Sequence, residues 1–473
     1  MRYFATSKSG SKNYFSRASS FFNIMKLKTS LLILFVGLAA KGAMAWGDHR
    51  LPSYRALERM PEVAQAVPAK VEPLQAFLRA EESAIEKSLA QQEVWASTHL
   101  SFYPALPATL AFKANPSLDD EARKKAFLMA LRVAPNYPFA LYYQPDPGKP
   151  RPADAPLPHN AVNTLPVSAG VAFSYFPLKP DQSIDVLSVL ATASEEPDNG
   201  VDINLWADNP SDWGKLLGFG PQPFGNPSLP YSSQAPFHMG FYHESPVIYK
   251  AAGFVTRTFP LLRQHQFATL SVLAFRTGHP YWGWRFAGLA LHYVQDLTQP
   301  FHASLSPGDG VTKMIGINLL AMAGLPKWKD DLVILLSNRH LALESYQATS
   351  MRRNATMQRD STIEVSLRSM EKDATYPAWT DNYVRDVVSA QAAANGEAIV
   401  QAILESMPKT YVSDPQFDFG PKSSTIALNE EVERSASNGS RQRLEATIAE
   451  LLGNYGAHSR NAVRGILKAS SQP

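Results

Sequence analysis

Cysteine is absent from the 473 residues of this chain. Disulfides therefore cannot stabilise the fold, and thiolates cannot be among the ligands of a metal site. The folded state must be held by a hydrophobic core, by metal ions, or by both. If a metal is bound, its ligands must be imidazole nitrogens and oxygen atoms.

A strong excess of charge of one sign is also missing. The chain has 45 Lys and Arg residues against 42 Asp and Glu residues. Seven of the basic residues and none of the acidic ones precede residue 46, so removal of that segment leaves a net charge of about −4. A nearly neutral surface gives no support to nucleic-acid binding through a broad basic face. Any partner must therefore be selected by a local site.

Long apolar runs are lacking as well, since the stretch 31–40 is much shorter than the ~20 residues that span a bilayer. Lys26 and Lys28 precede this run, and Ala43-Met44-Ala45 follows it. This order is typical of a secretory signal peptide with its cleavage site. We expect residues 1–45 to be leader and signal peptide, the mature chain to begin at Trp46, and the protein to be secreted or periplasmic.

Strand-like alternation is scarce, whereas apolar residues recur at spacings of three and four along most of the chain. This pattern predicts helices at 72–89, 119–133, 263–276, 281–297, 330–350, 382–407 and 441–452. The proline- and aromatic-rich stretch 134–166 predicts an extended insertion. We therefore expect an all-α helical domain over 46–407 with long loop insertions, and a polar C-terminal extension with one helix over 408–473.

The stretch HYVQDLTQPFH, from His292 to His302, carries the most specific chemical signal. His292 and Asp296 are four residues apart, so on a helix they lie on the same face. Pro300 ends that helix and can turn the chain so that His302 returns towards the same point. Imidazole and carboxylate are ligands that zinc accepts when no thiolate is offered.

A second pair, His340 and Glu344, repeats the four-residue spacing. One such pair alone is usually a surface pair on a helix. Two pairs and a further histidine, in a chain with 11 histidines, indicate instead a metal site.

The pattern H-x3-D-x3-P-x-H at the end of an amphipathic helix resembles the signature of the zinc-dependent phospholipase C / S1-P1 nuclease superfamily. The resemblance runs through most of 263–344. It implies an all-helical fold that holds about three zinc ions and begins at an N-terminal tryptophan. Trp46, at the expected cleavage site, is such a tryptophan.

Carried over by position, the resemblance assigns one zinc to His292 and Asp296. Asp296 would also bridge to a second zinc, held by the amino group and carbonyl of Trp46. The remaining zinc would be held by His302, His340 and Glu344.

The family pattern also requires a histidine and an aspartate upstream of the motif. His238 lies 54 residues before the first motif histidine and is the better match, with His243 as the alternative. Asp198 is the better match for the aspartate, with Asp202 as the alternative.

Two departures from the family pattern concern the site. His49 is the candidate that completes the N-terminal zinc site, but it follows Trp46 by three residues, closer than the family has it. The connection between His302 and His340 is longer than usual and contains the apolar run 314–325, which we expect to reshape the substrate cleft.

The implied chemistry is phosphoester hydrolysis. Zinc lowers the pKa of a bound water from about 15.7 towards 7 and so supplies hydroxide at neutral pH. Asp198 is the expected catalytic residue, which would orient the attacking water or accept its proton.

The superfamily divides by substrate. Glu344 as the last ligand and the absence of cysteine favour the phospholipase C branch, with a phospholipid as substrate and transient contact with a membrane surface. The aromatic loop 219–242 keeps a single-strand nuclease or 3′-nucleotidase open as the alternative, because nucleases stack bases on aromatic rings. A third reading is a secreted, non-catalytic protein that zinc only stabilises. The oligomeric state is left open.

Overall fold

The structure is a computed structural model that describes residues 48–166, 174–228 and 230–472. Within these ranges the protein is mostly helical, which confirms the predicted all-α class. The predicted signal peptide and Trp46 lie outside the described residues. In chain order the helices are α1 (Arg50–Leu57), α2 (Pro61–Ala64), α3 (Leu74–Ala80), α4 (Glu82–His99), α5 (Asp120–Leu131), α6 (Val186–Ala193), α7 (Ala235–His238), α8 (Pro246–Ala251), α9 (Pro260–Arg276), α10 (Pro280–Asp296), α11 (Pro300–Ala303), α12 (Val311–Met322), α13 (Lys327–Thr356), α14 (Thr362–Arg368), α15 (Ala390–Ala394), α16 (Gly396–Ser406), α17 (Lys409–Val412), α18 (Leu428–Ser435) and α19 (Asn438–Ser470).

Four two-residue strands form two small antiparallel ladders. Strand β1 (Ala69–Lys70) pairs with β4 (Ser183–Ile184), and β2 (Tyr142–Tyr143) pairs with β3 (Phe176–Pro177). The ladder of β2 and β3 therefore joins the predicted insertion 134–166 to the segment that precedes β4 and α6.

Most predicted helices are present with shifted ends. The helix predicted at 72–89 is divided at Glu81 into α3 and α4. The helix predicted at 382–407 is divided into a π-helical turn at Val384–Ser389, α15 and α16. Within the described ranges, no helix combines the length and the apolar character needed to cross a bilayer.

Helix α10 occupies the centre of the core and is buried from Tyr281 to Asp296. Helices α6, α9 and α19 pack around it. Gly288 lets α6 approach closely, because a Cβ at this position would lie 2.7 Å from the carbonyl oxygen of Leu190 and 2.5 Å from the Cβ of Ala193. This contact brings the segment that follows α6 alongside the next turn of α10, where His292 lies.

The helix predicted at 441–452 is part of α19, which runs over 33 residues. One face of α19 is apolar and buried, with Leu444, Ile448, Leu452 and Tyr455 in the main core. It packs against α1, α9, α10, α14 and α16. The C-terminal segment thus shares the core of the preceding helices.

A smaller apolar cluster lies beside the main core and under α12. Its members include Phe224, Met239, Phe241, Leu305 and Met314. This cluster adjoins the predicted site, because Met239 follows His238 in the chain and Leu305 is three residues beyond His302.

Candidate metal centre

The structure brings together eight of the nine predicted ligands, and the ninth, Trp46, lies outside the described residues. Each of the eight is at most 3% exposed. Their donor atoms form three groups that could each hold a metal ion: His49, Asp198 and His292; His238, His292 and Asp296; and His302, His340 and Glu344.

Local chain geometry explains much of this arrangement. The last two turns of α10 carry His292 and Asp296 on one face. The chain then turns, and the Gln299 side chain caps α11 by accepting the Phe301 amide at 2.5 Å. This cap sets the direction of α11, whose third residue is His302.

One group is formed by donor atoms of His238, His292 and Asp296, with an oxygen of Asp198 nearby. His238 Nδ1 lies 3.0 Å from Asp296 Oδ2 and 2.9 Å from His292 Nε2, and His292 Nε2 lies 3.3 Å from Asp296 Oδ2. Asp198 Oδ1 is 3.8 Å from each of the two histidine nitrogens. Ligand atoms of a tetrahedral zinc, bound at ~2.0–2.1 Å, are about 3.3 Å apart. The donor atoms of His238, His292 and Asp296 therefore fit around one ion, with Asp198 Oδ1 nearby.

The other oxygens of the same two carboxylates face His49. Its Nε2 lies 3.4 Å from Asp296 Oδ1 and 3.9 Å from Asp198 Oδ2. Asp296 thus presents one oxygen to each of two adjacent groups, which is the arrangement of a bridging carboxylate.

The third group joins α11 to α13. His340 Nε2 lies 2.6 Å from Glu344 Oε1, and His302 completes the group, since one ligand atom from each of the three residues lies within 4.8 Å of the other two. Gln299 Nε2 donates to Glu344 Oε1 at 3.2 Å, so the residue that caps α11 also holds this carboxylate in place.

Hydrogen bonds at Nδ1 fix the orientation of three imidazoles. The Nδ1–H groups of His292 and His302 donate to the carbonyls of Ser194 at 2.8 Å and His238 at 2.9 Å. His49 Nδ1–H donates to the amide oxygen of Gln295 at 3.0 Å. Such outer contacts select the tautomer that turns Nε2 towards a metal.

Several of the donor atoms have no hydrogen bond. Buried polar atoms ordinarily have a partner, and an unmade hydrogen bond in the interior costs free energy. Within the described residues, the buried atoms without one include His49 Nε2, His302 Nε2, His340 Nε2 and both carboxylate oxygens of Asp198 and Asp296. A cation at each group would satisfy these atoms, so the residues present fit a multinuclear metal centre.

The electrostatics of the two adjacent groups also fit a cation. Burial lowers the pKa of His49 and His238, but the adjacent carboxylates, led by Asp296, outweigh burial and raise the two pKa values to about 9 and about 10. Burial works against ionisation of Asp296, yet His292 and His238 hold its pKa well below the usual range. The carboxylates therefore create a strongly negative interior that attracts positive charge.

The third group differs, because desolvation dominates there. Burial lowers the pKa of His302 and of His340 to about 3 each. Burial, followed by the negative charge of Asp198, raises the pKa of Glu344 well above its usual range. Both imidazoles are therefore neutral at physiological pH and retain the lone pair that a metal requires.

The two alternatives left open by the sequence occupy other positions. Asp202 lies behind His238, with its Oδ2 3.4 Å from His238 Nε2, and it accepts from Arg263 at 2.7 Å and from Tyr293 at 2.6 Å. His243 is exposed, and its Nε2–H donates to the carbonyl of Arg385 at 2.8 Å. Asp202 is thus placed to orient a ligand, and His243 is outside the three groups.

Sequence reasoning missed two residues that position His49. Gln295 holds its ring, and Glu195 accepts its backbone amide at 2.6 Å. Burial and then the charge of Asp48 raise the pKa of Glu195 to about 8. An available signal was the pair of glutamates directly after the apolar helix α6, because acidic residues at the end of a buried helix need a partner.

Replacement of Gln295 by Leu is expected to weaken metal binding at the His49 group by 10- to 100-fold, the usual effect of losing an outer contact. The ring of His49 would lose the acceptor that selects its tautomer. Metal titration followed by thermal unfolding measures this loss. Equal affinities in the variant and the wild type would contradict the role of Gln295.

Comparison of the chain with protein-family models, with curated proteins and with solved structures gives no match.

Proposed function

We propose that the protein is a zinc-dependent phosphodiesterase of the phospholipase C type, with the fold of the phospholipase C / S1-P1 nuclease superfamily. The observation that carries the proposal is the grouping of buried His, Asp and Glu donors around Asp296, with the separate three-ligand group at His302, His340 and Glu344. Structural zinc sites are saturated by four protein ligands, whereas catalytic sites keep a position open. A three-ligand group fits the second description.

Zinc, when bound, polarises the phosphoryl oxygens and lowers the pKa of a coordinated water from 15.7 to about 7. The residues of the chain supply the rest of the chemistry. Asp296 would link the two adjacent groups, and His302, His340 and Glu344 would hold the third ion. Asp198 would orient the attacking water and accept its proton. Its two buried oxygens, which have no hydrogen bond, support this role.

Two features support lipid over nucleic acid. The phenylalanine rings of the loop 219–242 lie in the core, where Phe219 and Phe237 pack against Trp206 and Phe259. Rings packed in this way do not offer the exposed faces on which nucleases stack bases. The second feature is a nearly apolar cavity beside the His302 group, lined by Leu305 and Leu336 among others.

The decisive assay compares substrates on protein that begins at Trp46 and has a measured metal content. We expect about three zinc ions per chain and release of phosphocholine and diacylglycerol from phosphatidylcholine. His302→Ala should remove one zinc and lower the rate by on the order of 10²-fold or more. His99→Ala, on the exposed end of α4, is the matched control and should change neither quantity.

Other outcomes are equally informative. Cleavage of single-stranded DNA or of a 3′-nucleotide with phosphatidylcholine untouched would replace the lipid assignment by the nuclease one. A full zinc load with no hydrolysis of either substrate would mean that the metal only stabilises the fold.

A further inference from the structure

Helix α12 is inserted between two of the proposed ligands, His302 and His340, and leaves most of its surface uncovered. Of its twelve residues, all of them described, only Met314 is buried. Large apolar side chains are exposed on α12, on the turn that follows it and at the start of α13: Leu319, Leu320, Met322, Leu325 and Trp328. These five residues form an apolar patch.

Charged side chains border the patch. The Lys313 and Lys327 side chains are 55% and 72% exposed, and they form ion pairs with Asp309 and Asp331. The border of the patch therefore carries charges of both signs. A helix with an apolar face, a flanking tryptophan and lysines is typical of segments that lie in the headgroup region of a lipid layer.

A cavity of about 130 Å³ lies beneath the patch, between α8, α12 and α13. Its walls are apolar apart from a few groups and include Ile248, Ala252, Met314, Leu332 and Leu336. An apolar cavity of ~150 Å³ is known to remain dry and to take up benzene. The present cavity therefore has room for a short length of hydrocarbon.

The cavity adjoins the proposed catalytic centre. Leu305 lines it and follows His302 by three residues, and Leu336 lines it four residues before His340 on α13. Four residues along a helix rise about 6 Å. A ligand with its phosphodiester at the His302 group would thus have its apolar part within reach of the cavity.

We propose that the segment 311–329 is a lipid-binding element: the apolar patch lies on a phospholipid surface, and the cavity beneath it takes the end of one acyl chain. This inference rests on the lipid-directed function proposed above and deepens it. A second copy of the chain would also cover an apolar face, but it would not account for the apolar cavity that lies beneath the patch and beside the His302 group.

Binding to vesicles tests the patch without turnover. The probe is a vesicle of phosphatidylcholine with one-quarter phosphatidylglycerol, and the protein carries His302→Ala so that lipid is not consumed. Leu319→Asp should weaken vesicle binding at least tenfold. Leu216→Asp is the matched control, because Leu216 is 57% exposed and Leu319 is 59% exposed, and it should bind as strongly as its parent.

The cavity is tested with decylphosphocholine below the concentration at which it forms micelles. Ala251→Phe fills the cavity from α8 and should weaken binding of this single-chain ligand about tenfold or more, with unchanged thermal unfolding. Equal binding of the ligand by the filled variant would remove the acyl chain from the cavity.

Two results would overturn the role of the patch: vesicle binding that Leu319→Asp leaves intact, or a dimer in solution that this substitution dissociates. These results are distinct from failure of the proposed function. Vesicle binding by a protein that hydrolyses no phosphoester would reject the activity and retain the lipid-binding element. Hydrolysis of phosphatidylcholine that Leu319→Asp leaves unchanged would retain the activity and reject the lipid-binding element.

Discussion

Replacement of Asp296 by Asn is expected to remove about two metal ions and to lower phosphodiester hydrolysis on the order of 10³-fold or more. Its two oxygens face different groups, with Oδ2 towards His238 and His292 and Oδ1 towards His49. An amide offers one neutral oxygen and a nitrogen that cannot bind a metal. Both adjacent positions are therefore weakened by a single change, and the loss should exceed that caused by His302→Ala.

Metal analysis of the dialysed variant and a rate measurement on phosphatidylcholine check this expectation. Asp212→Asn provides the control, since Asp212 is exposed and is not one of the proposed ligands. Loss of a single ion, or a rate within tenfold of the wild type, would show that Asp296 does not bridge.

The second large effect concerns stability. Arg263 is fully buried, and its Nε donates to Asp202 Oδ1 at 2.7 Å while its terminal nitrogens donate to the carbonyls of Leu131 and Arg132 at 2.8 and 2.6 Å. Arg263→Leu leaves the Asp202 carboxylate buried without its counter-charge. Loss of one partner of a buried pair costs about 3–5 kcal/mol of unfolding free energy. Denaturant titration should therefore show a clear fall in the midpoint.

An exposed ion pair supplies the comparison. Arg79 pairs with Asp120 at the surface, where the side chains are 61% and 40% exposed, so Arg79→Leu should change the unfolding free energy by only about 0–1 kcal/mol. Similar losses in the two variants would contradict the distinction between buried and exposed pairs. The Arg263 variant should also bind metal less tightly, because Asp202 contacts the ring of His238.

The part of the candidate centre that sequence could predict is the part set by local geometry. His292 with Asp296, and His340 with Glu344, share helix faces because their spacing is one turn, and Pro300 begins the short helix that carries His302. The periodicity of an α-helix is enough to predict that these residue pairs lie close together. The resemblance favoured Asp198 over Asp202, but the physical reason for that choice is visible only in the fold. Both residues lie in one irregular segment, and packing against α10 puts Asp198 among the donors and Asp202 behind His238.

Contacts between residues far apart along the chain could not be predicted from the sequence. The position of His49 depends on Glu195 and Gln295, which lie 146 and 246 residues away. The aromatic loop illustrates the same limit, because composition does not reveal whether Phe219 and Phe237 face a cleft or each other. The break at Glu81 is likewise invisible to the apolar pattern, which continues across it.

The contact between α19 and the start of the described chain has a consequence for biosynthesis. Tyr455 donates to the carbonyl of His49 at 3.0 Å across 406 residues, and Ser459 accepts from Gln295 at 3.2 Å. At a synthesis rate of about 5–20 residues per second, His49 waits roughly 20 to 80 s for Tyr455 to be made. The contacts from α19 that hold His49 and Gln295 therefore form only after residue 459 has been made, which makes this side of the centre one of its last parts to be fixed.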